Sequence, residues 1–209
     1  MKYCFLTGAP GSKWSSVAKN IYWSDDFDHS DYSDARTYYN NVDNKTNLLH
    51  FGSYFDPQME FGSFFDKISE YSIEEIEEEL QKPFTNGNIK LIKSHMLSLN
   101  LNFISQNFSN SAIVCVLRNE QLCLNWWMKA GGFDITYPNY SFYKNSDIMY
   151  NWINLQNRAI KEFVANNNCT EVKNNYELCD KLGISYPPIE HKQNYVEDAI
   201  TVYVHQNAA

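Results

Sequence analysis

Apolar residues come in two patterns along this chain, short continuous runs and helical spacings, and their alternation predicts the elements. Tyr3-Cys4-Phe5-Leu6 is a continuous run. It predicts a strand over 2–7, followed beyond a glycine turn by a helix from Ser15 to about Tyr22. Residues 24–47 are rich in Asp, Asn, Ser and Tyr without a clear period, so irregular chain with one short helix is expected there. Ser72 and Glu75 form a capping-box pattern with Ile73, Ile76 and Leu80 at helical spacing, which predicts a helix over 72–81. Its acidic run, Glu74, Glu75, Glu77, Glu78 and Glu79, reads as a solvated face.

Pro83 and the Asn86-Gly87-Asn88 turn end that helix. A second strand, Ile89-Lys90-Leu91-Ile92, runs into Lys93-Ser94-His95, and a short helix is expected over 99–108. Ala112-Ile113-Val114-Cys115-Val116-Leu117 is the clearest strand, apolar throughout in the manner of a buried parallel strand. It ends at Arg118-Asn119. A helix from Glu120 to Lys129 is stopped by Gly131-Gly132, and a long one runs from about Ser146 to Asn166. A last short parallel strand over 169–173 and a helix near 175–182 complete the pattern. Strands and helices in this order predict one α/β domain over 1–209, with a central, mostly parallel sheet flanked by helices.

Ligands of such sheets bind at the carboxyl ends of the strands, and three strand ends here carry polar clusters. After the first comes Gly8-Ala9-Pro10-Gly11-Ser12-Lys13-Trp14-Ser15-Ser16, after the second Lys93-Ser94-His95, after the third Arg118-Asn119. A strand opening through a Gly/Ser/Lys turn into a helix suits a phosphate, because backbone N–H groups and the positive helix end face the anion. The spacing departs from a nucleotide-triphosphate loop, which wants four residues between its first glycine and a Gly-Lys-Ser/Thr triplet. Counted from Gly8, Lys13 stands in the second glycine's place and Trp14 in the lysine's.

Composition narrows the partners. The 209 residues carry a formal net charge of −8 and no long lysine/arginine cluster, which argues against nucleic acid or a long sulfated polymer as partner. No apolar run approaches the ~20 residues that span a bilayer, and no signal-peptide pattern opens the chain. Five cysteines without tight spacing argue against a disulfide framework, with Cys4 and Cys115 inside apolar strands, and a cytoplasmic setting is expected. The histidines are scattered, so no metal is expected. Asp25, Asp26, Asp28 and Asp31 read as a solvated loop or as an attraction for a cationic acceptor. Residues 50–66, aromatic with glycine hinges, read either as an acceptor wall or lid, or as a loop packing its aromatics on the core.

The three clusters together resemble the sulfotransferase family that uses 3′-phosphoadenosine 5′-phosphosulfate (PAPS). That family opens with a Pro-Lys/Arg-Ser-Gly-Thr-Thr loop, and Pro10-Gly11-Ser12-Lys13-Trp14-Ser15 lies in register with it. Lys93-Ser94-His95-Met96-Leu97 is similar to its Lys-Thr-His-Leu-Pro segment, and Val114-Cys115-Val116-Leu117-Arg118-Asn119 to its third strand. Asn175-Tyr176-Glu177-Leu178 and Leu182-Gly183-Ile184 resemble its Tyr-Glu…Leu-Gly segment. The departures are specific. Gly11 holds the place of the loop cation, Trp126 holds that of a phosphate-binding serine, and His191-Lys192-Gln193-Asn194 is only loosely like a His-x-Asn segment.

The resemblance implies a P-loop-like three-layer sandwich and sulfuryl transfer from PAPS to a hydroxyl or amine of a small acceptor. It implies His95 as general base and Lys93 and Lys13 as the cations at the sulfuryl group. Gly8, Pro10, Gly11, Ser12, Lys13, Trp14, Ser15 and Ser16 would hold the 5′-phosphate, and Arg118, Asn125, Trp126 and Lys192 would complete the cofactor site. Two alternatives stand beside it: a catalytically degenerate binding protein of this fold, and a P-loop nucleotide kinase or NTPase.

Overall fold

The computed structural model describes residues 1–42, 45–134, 144–188 and 193–207. Among the described residues, seven strands and six α-helices follow one another as β1 (Tyr3–Gly8), α1 (Trp14–Tyr22), β2 (Tyr38–Val42), β3 (Lys45–His50), α2 (Ile73–Gln81), β4 (Lys90–Lys93), α3 (Leu101–Asn107), β5 (Ser111–Arg118), α4 (Glu120–Lys129), α5 (Ser146–Asn166), β6 (Cys169–Val172), α6 (Asn175–Leu182) and β7 (Ile200–Gln206). Five strands form one sheet in the order β4-β1-β5-β7-β6. β1 runs parallel to both β4 and β5, while β7 is antiparallel to β5 and β6. The sheet is therefore mixed and mostly parallel, with β7 the single reversed strand within it.

The period of two along β1 divides the core. Cys4 and Leu6 join Val17 and Ile21 of α1 and Leu178 and Leu182 of α6 on one face. Tyr3 and Phe5 join Leu80 of α2, Ile104 of α3, and Ile160 and Phe163 of α5 on the other. Every residue of β1 is buried, as a strand covered by helices on both faces requires. A third cluster, Ala9 with Cys123, Trp127, Met149 and Ile153, fastens the first glycine turn to α4 and α5.

Several expectations change. The stretch expected to be irregular holds a short 3₁₀ turn, Asp34–Arg36, and then the antiparallel pair β2–β3. β7 was not expected, although Ile200, Val202 and Val204 alternate inward. The acidic loop is only half solvated. Asp28 and Asp31 are buried; Asp28 accepts from Ser30 N–H at 2.9 Å and Asn86 N–H at 3.0 Å, and Asp31 from Tyr22 Oη at 2.7 Å and Ser53 N–H at 2.6 Å. Glu79 likewise leaves the solvated face, accepting from Gly62 N–H at 2.9 Å. In the 50–66 segment Tyr54, Phe55, Phe61 and Phe65 are core residues. All five cysteines are free thiols. Among the described residues no helix is long and apolar enough to cross a membrane.

Candidate functional site

β1 delivers its turn to the carboxyl edge of the sheet. A Cβ on Gly8 would meet Ser12 Oγ at 2.5 Å and the Val116 carbonyl at 2.8 Å, and one on Gly11 would lie 1.9 Å from the Cys123 carbonyl oxygen. The turn is thus drawn tightly against β5 and α4. Ser12 N–H donates to the Ala9 carbonyl at 3.0 Å, Pro10 and Ser12 are buried, and Ser15 and Ser16 are half-buried. Gly11 has φ +78° and Lys13 φ +68°. Lys13 is the N-cap of α1 and supplies no side-chain cap. Among the described residues, no acceptor takes the N–H groups of Gly11, Lys13, Trp14 or Ser15. Open first-turn donors at a helix start are an anion's natural partners.

Cations gather beside this turn. Arg118, at the end of β5, donates from Nη1 to the Gly11 carbonyl at 3.3 Å, and its Nε is buried without a partner. The half-exposed Trp126 indole is approached by Lys13 Nζ at 4.8 Å, Arg118 at 5.6 Å and Lys129 Nζ at 5.6 Å. Lys13 also pairs with Asp198 at 2.7 Å. Burial alone would raise the Asp198 carboxyl; hydrogen bonds from Lys13 and Gln193 outweigh it and hold it below the usual range. Asn125 is exposed and accepts from Gln121 at 2.9 Å. Lys192 lies outside the described residues.

On the other flank of α1 stand the residues of β4. Lys93, expected in the cluster just past the strand, is the last residue of the strand itself and 2% exposed. Its Nζ lies over the Tyr22 ring at 5.2 Å, and burial brings it down to about 8, with Asp31 opposing. His95 is sealed inside. Its Nδ1 lies 2.9 Å from the Gln156 amide nitrogen and its Nε2 3.6 Å from Asp56. Burial pushes His95 down to about 3 and Asp56 up to about 7, so the imidazole is neutral at pH 7 while the carboxyl, accepting from Ser94 Oγ at 2.6 Å, stands between its neutral and charged forms.

The structure therefore brings Gly8 through Ser16, Arg118 and Trp126 together, leaves Asn125 on the outer side of α4, and encloses His95. Lys93 reaches the first turn of α1 from the opposite side: with Ser15, Tyr22, His50 and Phe51 it lines a narrow crease. Sequence reasoning missed Asp198, Asp56, Gln156 and His50. Only His50 had a local signal, since it opens the aromatic segment already marked as a possible acceptor wall. Among the described residues no His/Cys/Asp/Glu group suits a metal ion. No family model, curated protein or solved structure matches the chain.

Proposed function

We propose that this chain is a PAPS-dependent sulfotransferase-like enzyme. It transfers a sulfuryl group to a small acceptor, with the donor's phosphates at the β1–α1 turn. The observation that carries the reading is the meeting of Lys13 and Arg118 at one indole ring, beside unsatisfied first-turn N–H groups. A guanidinium and an ammonium beside open backbone donors suit a nucleotide with two separate anionic ends. Sulfuryl transfer is taken, like phosphoryl transfer, as an in-line displacement in which charge builds on the leaving phosphate, and Lys93 supplies a buried cation on the adjoining strand end. A nucleotide kinase is disfavoured by the misplaced loop lysine and by a third strand that ends in Arg118-Asn119 instead of a carboxylate.

Titration with adenosine 3′,5′-bisphosphate tests the donor site. Binding that weakens by at least about tenfold in Arg118→Ala is expected, the loss of a charge-assisted contact. Tight ATP–magnesium binding without affinity for the bisphosphate would sink the reading. The enclosure of His95 favours one second reading, a binding protein without turnover. Bisphosphate binding with no labelled sulfate transferred to any acceptor would select it.

A further inference from the structure

The cations of the β1–α1 turn already have an anion beside them, and it belongs to the chain itself. Asp198, two residues before β7, places Oδ1 2.7 Å from Lys13 Nζ. Its second oxygen accepts from the Gln193 amide, whose own oxygen accepts from Asn20 Nδ2 of α1 at 2.6 Å. Burial opposes the Asp198 charge, hydrogen bonds from Lys13 and Gln193 outweigh that, and the charge of Arg118 adds to them. The carboxylate thus lies in the field of the same two cations that meet at the Trp126 ring.

Backbone strain stands at both ends of this pair. Among the described residues three non-glycine positions have positive φ, and two of them are Lys13, at +68°, and Ala199, at +53°, the residue after Asp198. Left-handed backbone is costly for an L side chain and persists only where the surroundings hold it there. Around Ala199 they form a tight turn: Asp198 N–H donates to the Asn194 carbonyl at 3.1 Å, and Ala199 N–H to the Val196 carbonyl at 3.0 Å. Both flanks of that turn are fixed, Tyr195 by burial and by its Oη donating to Asn175 at 2.8 Å, and Ile200 by the start of β7. Val196 between them is 67% exposed. Movement is thereby confined to residues 196–199.

We infer that Asp198 is a built-in inhibitor of the turn: its carboxylate holds Lys13 until the donor's phosphates take that cation and Arg118, and its release loosens residues 196–199. The inference rests on the donor site proposed above and adds the regulation of that site. The sign follows from charge. A phosphate dianion offers the two cations and the open first-turn N–H groups more charge than one carboxylate does, so it displaces Asp198. Its affinity is lowered by whatever the ion pair contributes. The coupling is reciprocal, because the pair weakens the ligand by the same factor by which the ligand weakens the pair. A merely structural Asp198, positioning Lys13 for the ligand, predicts the opposite sign, since removing its charge would then loosen the cation and weaken binding.

The experiment titrates full-length wild type, Asp198→Asn, Lys13→Met and the double variant with adenosine 3′,5′-bisphosphate and, separately, with inorganic pyrophosphate. It also follows amide hydrogen exchange at residues 196–199, and unfolding midpoints check each fold. Expected are both probes bound at least ~5-fold tighter by Asp198→Asn, and a gain that falls within about twofold in the Lys13→Met background. Exchange at 196–199 should speed up when either probe saturates the wild type. Lys13→Met breaks the pair from its other end and should show the fast exchange without ligand, so the release stays testable if Asp198→Asn does not fold. Affinity equal to or below wild type in a folded Asp198→Asn, a gain undiminished in the Lys13→Met background, or exchange unmoved by ligand would each overturn the inference while leaving the donor site standing. Pyrophosphate bound without the bisphosphate would overturn the sulfotransferase reading alone. Wild type and Asp198→Asn that both bind neither probe overturn the two together.

Discussion

Lys13 occupies left-handed backbone, φ +68°, where an L side chain costs about 1–2 kcal/mol. Its chemistry and its backbone are therefore opposed, and substitution separates them. Lys13→Gly removes the strain and the cation together, while Lys13→Met removes only the cation. Lys13→Gly is expected to be about 1 kcal/mol more stable than Lys13→Met by denaturant midpoint, with both variants losing bisphosphate affinity alike. Equal midpoints would mean that the turn adopts another conformation in solution. The neighbouring departure from the sulfotransferase pattern has a steric cause. Gly11 also has positive φ, and a Cβ there would collide with the Cys123 carbonyl. A cation cannot stand at that position while α4 packs this closely, and the nearest loop cation is two residues later.

At the scale of elements, those with self-contained signals were legible in the sequence. The helix over 72–81 announced itself through Ser72 and Glu75, and the structure holds the full reciprocal cap, with Ser72 Oγ accepting from Glu75 N–H at 3.3 Å and Glu75 accepting from Ser72 N–H at 2.9 Å. Ser72→Ala is expected to cost about 1 kcal/mol, read as a lowered unfolding midpoint; no change would mean that packing of Ile76 and Leu80 alone holds α2. β5 was legible for the same reason, as an unbroken apolar run needs no partner to be recognised. What depended on distant partners was not. Asp31 is neutralised as a polar burden by Ser53, 22 residues away, and Asp28 by Asn86, 58 residues away, so local charge counting placed both in solvent. β7 alternates inward and outward, yet it is inserted between β5 and β6, and no local pattern names that slot. Of the site, the three strand ends were visible; the closure of His95 by Gln156 and Asp56, and the pairing of His50 with Lys93 in one crease, were not.

For the whole molecule, burial of titratable groups sets the dependence of stability on pH. His50 and His95 each have folded values near 3 against 6.5 unfolded. Their contribution is full above 6.5 and declines as pH falls, because unfolding then takes up two protons. Asp56 is raised from 3.8 to about 7, so its contribution is full below 3.8 and lost as pH rises through 7, the opposite slope. Two histidines against one carboxyl leave a net loss of stability on acidification between about pH 6.5 and 5, steepening to on the order of 1 kcal/mol per pH unit at the acid end. Denaturant midpoints across that window should show it, and His95→Gln should bring the slope close to zero; an unchanged slope would exclude the neutral buried histidine. The ion pair between Lys13 and Asp198 reaches furthest through the fold, since it ties the turn after the first strand to the segment entering the last. Any phosphate arriving at Lys13 meets a rival that cannot diffuse away, a carboxylate carried on the same chain and present at the high local concentration of a tethered group. Under the proposed donor binding, occupancy of the turn would exchange one anion for another, and the carboxylate that loses Lys13 would be Asp198, two residues before β7, on the far side of β5 from β1.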